Sequence, residues 1–535
     1  MPSLKSLGAV RLAKIRDSLH FSLSATAVLP AMGVGRRMLT VPNFGLAARL
    51  LSLFALAAVL YAQDPAGAMA AISAQSLKGH VSFLASDSLE GRDTPSKGLD
   101  IAAEYIASRF RATGLEPACG DSYFQDSDWV RVAPVTDGFS LTIEGAAPIV
   151  LDASSLTALA SASAVTIDKA SLVRVSGETV ASVKPADLEG KVAIAPYTDR
   201  RNASRLRAAL ARLKPQAMIF AASGKPESPL DRAPRLEQAG KADSWVPYVR
   251  VASEELFKLV EASEAGPLDR LVSLRLPAST RTPVKLRNVA AVLRGSDPAL
   301  RDTYVLVTAH YDHIGMKAGA PGDNIFNGAN DDASGTAAML EIAAAFGQMK
   351  QAPRRSLLFI AFFGEEKGLL GSKYYAEHPL VPLPATVAGI NLEHMGRSDA
   401  DEGVERGRLS ITGMDYSDIG RVFQAVGAQT GVEVYRSDRY NDLLFPNSDN
   451  LSLAEKGVVA HTLVAAYMFP DYHKAEDHWD RLDYPNMELV TRTVALGVQR
   501  LANSAETPKW DETSKRAARY REAGQKLRDH ARSGN

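Results

Sequence analysis

At 535 residues the chain is too long for one ordinary hydrophobic core and predicts two domains or more, and its 46% hydrophobic and 23% charged residues are those of a soluble globular protein. Lys plus Arg and Asp plus Glu both number 61, so no net field draws the chain to nucleic acid or to an anionic surface, which argues against a nucleic-acid role. Cys119 is the only cysteine, which excludes an intrachain disulfide and a thiolate zinc cluster; any bound metal must be held by His and carboxylate.

Residues 1–46 carry scattered basic side chains (Lys5, Arg11, Lys14, Arg16, Arg36, Arg37) with no amphipathic period. Leu50 to Ala62 then reads LLSLFALAAVLYA, thirteen residues without a charge. That is shorter than the ~20 residues a bilayer span needs and suits the apolar region of a secretory signal; a buried helix or a membrane anchor is the alternative. The expectation is a leader over 1–62 cleaved near Ala62, giving a secreted or periplasmic protein with no stable membrane span after removal. The unusually long basic stretch ahead of it points to translation starting at Met32 or Met38.

Between Leu77 and Gly114 the sequence predicts a helix, a Gly/Asp/Pro/Ser loop and a second helix, the latter with Ile101, Ala102, Tyr105, Ile106 and Phe110 at helical spacing. Gly114 stops it. The loop Glu90-Gly91-Arg92 is a candidate border of a cleft. From Val135 to Pro283 the texture changes to short strand-like runs: Ser140 to Ile143, Ser171 to Val175, Lys191 to Ala195, Ala217 to Phe220 and Val246 to Val251, with one helical run, Ala203 to Leu213. This stretch has no His. It predicts an inserted β-rich α/β domain over 135–283 that shapes access or binds a ligand, or is a passive structural insert.

Asn288 to Leu293 resumes a strand. Tyr304 to Thr308, Leu357 to Phe363, Thr386 to Leu392, Leu409 to Thr412 and Val458 to Val464 are further strands, and Ala333 to Gln348 and Ile419 to Thr430 are helices. Such alternation predicts an α/β fold, a mostly parallel (mixed) sheet with helices on both faces, built from 63–134 and 284–505. Residues 506–535 are polar, charged and weakly helical, a tail or an outer helix.

The chemistry concentrates at the strand ends. Seven of the ten histidines lie between His310 and His478. His310 and Asp312, Asp331 and Asp332, and Glu365 and Glu366 each follow an apolar run or precede a helical one, and residues just beyond the carboxyl ends of parallel strands converge in space. The spacing of His310 and Asp312 suits an imidazole whose second nitrogen is fixed by a carboxylate. Of Asp331 and Asp332, helix capping needs only one; a second acid among further carboxylates is costly unless a cation neutralises it. Glu393 follows another strand, and His473 lies in the loop after the last. His310, Asp331, Glu366, Glu393 and His473 are thus five candidate ligands. Nitrogen and oxygen donors without sulfur suit zinc, while cobalt or manganese also fit. Five are more than one catalytic zinc uses with a position kept for water, and they suit two zincs bridged by one carboxylate.

Taken together, His-x-Asp, Gly-Ala-Asn-Asp-Asp-x-x-Gly, the Glu-Glu pair after a strand, Asn-Leu-Glu, and Tyr-His followed by Glu-Asp resemble the co-catalytic zinc exopeptidases, the family of secreted bacterial aminopeptidases and glutamate carboxypeptidase II. The resemblance runs from about Leu84 to Asn503. It implies that Asp331 bridges two zinc ions, that His310 and Glu393 complete one site and Glu366 and His473 the other, that Glu365 is the general base, and that Asp312 orients His310. It also implies a cis Asp331-Asp332 peptide. Glu393 departs from the family pattern, in which many members have Asp. The insert resembles a protease-associated domain, with Asp187-Leu188-Glu189-Gly190-Lys191-Val192 as its strand-leading motif. The expected activity is that of an aminopeptidase acting on peptides. A carboxypeptidase or dipeptidase of the same family, a one-zinc glutaminyl cyclase, and an inactive binding scaffold like that of transferrin receptors are the alternatives. His313, His394 and His478 are expected behind the ligands or at the surface. Tyr472 is a candidate oxyanion donor or a packed aromatic, and Ser448-Asp449-Asn450 resembles a family segment near the substrate pocket.

Overall fold

The computed structural model describes residues 69–533 apart from 225–233, 241–245, 318 and 320. The expected leader over 1–62, with its apolar run and cleavage point, lies outside them. Helix α1 (Ala74–Leu84) starts where the Ser73 hydroxyl accepts the Ser76 N–H, and α2 (Lys97–Ala112) where Ser96 accepts that of Leu99. Each hydroxyl satisfies one amide that the first helical turn leaves unpaired. Along α2, Leu99, Ala102, Ala103, Ile106, Ala107 and Phe110 are buried, the single stripe that helical spacing creates.

Strand β1 (Phe124–Ala133) pairs antiparallel with β2 (Thr280–Leu293), from Phe124 opposite Val289 to Ala133 opposite Thr280. The chain between them builds a separate eight-stranded sheet from Ser140 to Leu276 over its own core, which includes Leu141, Leu172, Ile194, Ile219 and Val249. Thr280 to Pro283, expected within the insert, are ladder residues of the larger sheet. So is Arg235–Gln238, which pairs antiparallel with β1. The reason is that the β1–β2 ribbon runs on well past the core strands and offers a free edge to the returning chain.

Beyond the ribbon come β3 (Tyr304–His310), α3 (Ser334–Gly347), β4 (Ser356–Phe362), α4 (Leu370–Glu377), β5 (Thr386–Glu393), β6 (Arg408–Ile411), α5 (Ile419–Thr430), β7 (Ala460–Val464), α6 (Tyr484–Asn503) and α7 (Ala518–Ser533). The sheet runs from Glu433–Tyr435 through β6, β7, β5, β3, β4, β2 and β1 to Arg235–Gln238. It is mixed. The strands β7, β5, β3 and β4 are parallel at its centre, whereas β6 and β2 join antiparallel on either side.

Every residue of β3 and β4 is buried, as expected for central strands covered on both faces. Val305, Val307, Ala309, Leu357, Phe359 and Ala361 join the core formed with α1, α2, α3, α5 and α6. Their neighbours Tyr304, Leu306, Leu358, Ile360 and Phe362 pack with Tyr375 of α4 and Leu453. The alternation follows from side chains leaving a strand on opposite faces in turn. Residues 509–533 are tied down: Trp510, Ala517 and Tyr520 are buried in the main core, and the Trp510 indole N–H donates to the Gly457 carbonyl at 3.1 Å. Among the described residues no helix is long and apolar enough to cross a membrane.

Candidate metal centre

Because β3, β4, β5 and β7 are parallel and adjacent, the segments leaving their carboxyl ends meet on one side of the sheet. His310 is the last residue of β3 and lies opposite Phe362, the last of β4, so the Glu365-Glu366 turn starts beside it. Glu393 ends β5. The turn before α3 supplies the acid pair, whose Asp331-Asp332 peptide is cis. The two acids divide their work. Asp332 Oδ1 accepts the N–H of Gly335 at 3.0 Å in the first turn of α3 and that of His394 at 3.2 Å. A Cβ on Gly335 would lie 2.5 Å from the Asp332 oxygens, so the close approach requires glycine. Asp331 is left to face imidazoles.

Its Oδ1 lies 3.3 Å from His310 Nε2 and 3.6 Å from His394 Nε2; its Oδ2 lies 3.1 Å from His473 Nε2 and 3.8 Å from His313 Nδ1. Glu366 Oε1 is 2.8 Å from His313 Nδ1 and 3.3 Å from His473 Nε2. One carboxylate thus stands between two groups of donors. On the Oδ2 side, one donor atom each from His313, Asp331, Glu366 and His473 lie within 4.8 Å of one another. Glu393 keeps apart from these pairs: its Oε1 accepts hydrogen bonds from the Ser448 hydroxyl and the Asn391 amide.

The supports of these groups are equally specific. His310 Nδ1 sits 3.2 Å from the Asp312 carbonyl and 3.7 Å from Asp312 Oδ1. The carbonyl fixes a proton on Nδ1 and leaves the Nε2 lone pair facing Asp331. Asp477 accepts the N–H groups of Asn330 and Asp331. The fully buried Arg92 guanidinium donates to the carbonyls of Leu84, Tyr311, Asn327 and Gly328, joining the end of α1 to the loops that carry Asp312 and Asp331. Gly328 has a positive φ of 59°, and a Cβ there would lie 2.5 Å from the His313 ring.

Burial and the carboxylates of Glu393, Asp449 and Glu366 hold Glu365 well above the ordinary range for a glutamic acid, against the pull of His310. Asp331 is driven the other way: burial opposes its charge, but His310, His394 and His473 outweigh it and hold it well below the usual range. Glu366, against burial and the Asp331 charge, is held at about 2 by His313 and His473. His473 rises to about 10 against burial, through Asp331 and Glu366.

The residues fit a metal. His313 Nε2 and Asp332 Oδ2 are buried without a hydrogen-bond partner, a costly state that a cation relieves. The donors are imidazole and carboxylate only, the set that suits zinc. A cavity of about 280 Å³ opens over them, lined among others by Glu365, Glu393, Leu444, Val464 and Tyr472.

Of the seven residues singled out from sequence, His310, Asp331, Glu366 and His473 meet directly; Asp312 stands behind His310, and Glu365 and Glu393 line the cavity. His478 is bonded at the surface to Asp323. His313 and His394, expected behind the ligands or at the surface, are buried beside the Asp331 carboxylate. Each adjoins a residue already selected, Asp312 and Glu393, and that adjacency is the only sequence signal either offers. Arg92 and Asp477 carry no pattern at all.

Residues 288–498 match the profile described as peptidase family M28. That match covers the segment that builds the site. A probable zinc metalloprotease of Pyrenophora tritici-repentis is 33% identical over 193 residues, 30% of this chain and 42% of that protein. The aminopeptidase YwaD of Bacillus subtilis is 26% identical over 271 residues, 49% of this chain and 53% of its own length. The chain therefore spans about half or less of these curated relatives. An aminopeptidase from Aneurinibacillus sp. strain AM-1 superposes with a TM-score of 0.54 at 21% identity, covering 82% of this chain and 96% of that one, a likeness of fold. The M28 match starts within β2 and ends within α6, so it leaves out the eight-stranded insert.

Proposed function

We propose that this chain is a zinc-dependent aminopeptidase that hydrolyses the amino-terminal bond of peptides, with two zinc ions bridged by Asp331. The carrying observation is that Asp331 presents one oxygen to each of two donor groups while Glu365 lines the cavity above them. The family match and the names of the relatives support a zinc peptidase. His310 and Glu393 would hold one ion, and Glu366 and His473 the other. Bound zinc supplies a water of pKa near 7 and an electrophile for the scissile carbonyl.

The chain's own residues then move the proton. The Glu365 carboxylate takes it from the attacking water and returns it to the departing amine. The N–H of Glu365 donates to Asp312 Oδ1 at 3.1 Å, which fixes the base relative to His310. We further propose that the insert is of the protease-associated type and shapes access to the cavity; in its Asp187–Val192 motif Gly190 turns the chain at a φ of 69° into the strand Val192–Pro196. The apolar run Leu50 to Ala62 supports a secreted or periplasmic location.

The test is chromophore release from a panel of aminoacyl arylamides by the zinc-loaded protein, with Glu365→Gln alongside. Turnover that disappears in the variant while bound zinc remains is the expected result. Zinc bound at two per chain with no turnover on any member would reject the aminopeptidase reading.

A further inference from the structure

The last described residues of the chain pack behind one wall of the cavity. Building on the aminopeptidase reading above, we propose that residues 509–533 are a positioning element for substrate: they hold the Phe445–Asn447 turn, and with it the wall that receives the substrate's amino-terminal side chain. The family match ends at residue 498, so this element lies beyond it. The turn has two faces. Leu444 and Asn447, at its two ends, line the cavity. Phe445 between them is buried instead in a cluster of rings, its centroid 5.2 Å from that of Tyr520, 6.4 Å from Trp510 and 5.7 Å from His461. Trp510 and Tyr520 stack on each other at 5.4 Å. A second line reaches the cavity through His461. Its ring packs on Trp510, and its Nδ1 lies 2.9 Å from the carbonyl of Thr412, itself a cavity residue.

The segment is anchored by contacts other than these rings, so it can serve as a fixed backing. The Asp511 N–H donates to the Tyr416 carbonyl at 2.7 Å, the Asp418 N–H to that of Lys509 at 3.2 Å, and the Trp510 indole N–H to that of Gly457 at 3.1 Å. Helix α7 closes on the same loop: a Cβ on Gly457 would lie 2.2 Å from the Gly524 nitrogen. Arg516 pairs with Asp442, whose Oδ1 accepts the Tyr416 hydroxyl at 2.8 Å just ahead of the turn. Leu443, beside Leu444, is 58% exposed, so packing on the inner side has to hold the turn. A binding wall carried on a loop is only as well placed as the contacts behind it.

The test compares wild type, Tyr520→Ala, Tyr520→Phe and Arg516→Gln, each full-length and zinc-loaded, on alanyl and leucyl arylamides, and follows amide hydrogen exchange of residues 440–447. Tyr520→Ala should bind zinc as the wild type does and raise KM for the leucyl substrate about tenfold, with kcat and the alanyl KM within about twofold. Its exchange over 440–447 should be about tenfold faster. Tyr520→Phe, which keeps the ring, should return wild-type values. Equal effects on both substrates, or unchanged exchange over 440–447, would overturn the positioning role and leave the peptidase reading intact. A wild type that binds zinc but turns over neither arylamide would overturn that reading, and exchange alone then decides whether the segment holds the turn. If Tyr520→Ala does not fold, Arg516→Gln at the exposed rim decides in its place: a change of about threefold in the leucyl-to-alanyl KM ratio is expected, and no change would overturn the role.

Discussion

Asp312 accepts the N–H of Glu365 through Oδ1 and the hydroxyl of Thr94 through Oδ2, both at 3.1 Å, while its own carbonyl sits against His310 Nδ1. One residue thus fixes the end of β3, the turn after β4 and the loop before α2. Asp312→Asn keeps the shape but removes the charge and replaces an acceptor by a donor. The expected outcome is a 10- to 100-fold loss of zinc affinity, as for other residues that orient a ligand, with kcat reduced at saturating zinc. Chelator competition and kcat measured together check this. Wild-type values of both would show that His310 is held by its carbonyl contact alone.

The neighbouring acids should separate cleanly by variant. Asp332→Ala removes the acceptor for two buried N–H groups and should lower stability by about 1–2 kcal/mol, the usual cost of a lost helix cap. Asp331→Asn leaves those bonds in place and should abolish tight binding of both zinc equivalents. Denaturation midpoints of the metal-free proteins and zinc content of the loaded ones test the pair. Reversed signatures would exchange the two roles.

The central β-α alternation and the positions of His310, Asp331, Glu366 and His473 were legible because apolar runs mark buried strands and because ligands cluster where parallel strands end. The Asp331-Asp332 pair was legible as one cap and one free acid for the same local reason. What was not legible depends on long-range geometry. His394 looks like any residue after a strand until its φ and the carbonyls of residues 466–467 are known. Arg92 gains its meaning from carbonyls more than 200 residues away as well as one nearby. The edge strand Arg235–Gln238 lacks apolar alternation because every one of its residues is half-buried.

Arg92 itself yields a stability prediction. Arg92→Met fills similar space but leaves the carbonyls of Leu84, Tyr311, Asn327 and Gly328 without their shared donor. At about 1–3 kcal/mol for each buried acceptor left unpaired, partly offset by relaxation, the loss should exceed ~3 kcal/mol. Arg92→Lys should recover only part of it, since a single ammonium cannot reproduce the planar fork. Thermal unfolding of the three proteins checks the order; a methionine variant as stable as wild type would mean that the loops hold themselves.

His461 gives the chain a pH dependence separate from the metal centre. Its Nδ1–H donates to the Thr412 carbonyl at 2.9 Å, its Nε2 accepts the Ser417 hydroxyl at 2.7 Å, and its ring packs against Phe445 and Trp510. Both nitrogens are committed to the neutral form, and burial lowers the pKa from 6.5 to about 4. The folded state therefore binds this proton more weakly than the unfolded chain. The contribution is complete above pH 6.5 and is lost as pH falls toward 4, where the cumulative difference reaches about 3 kcal/mol at 1.36 kcal/mol per pKa unit. His461→Gln cannot titrate. Its stability relative to wild type should be lowest near neutral pH and should improve steadily from pH 6.5 down to 4, because only the wild type carries the penalty of a buried imidazole resisting its proton. Urea midpoints of both proteins, stripped of metal and compared at the same pH, cancel the other histidines. A constant difference across that range would place the His461 pKa near its unfolded value and remove burial as its controlling influence.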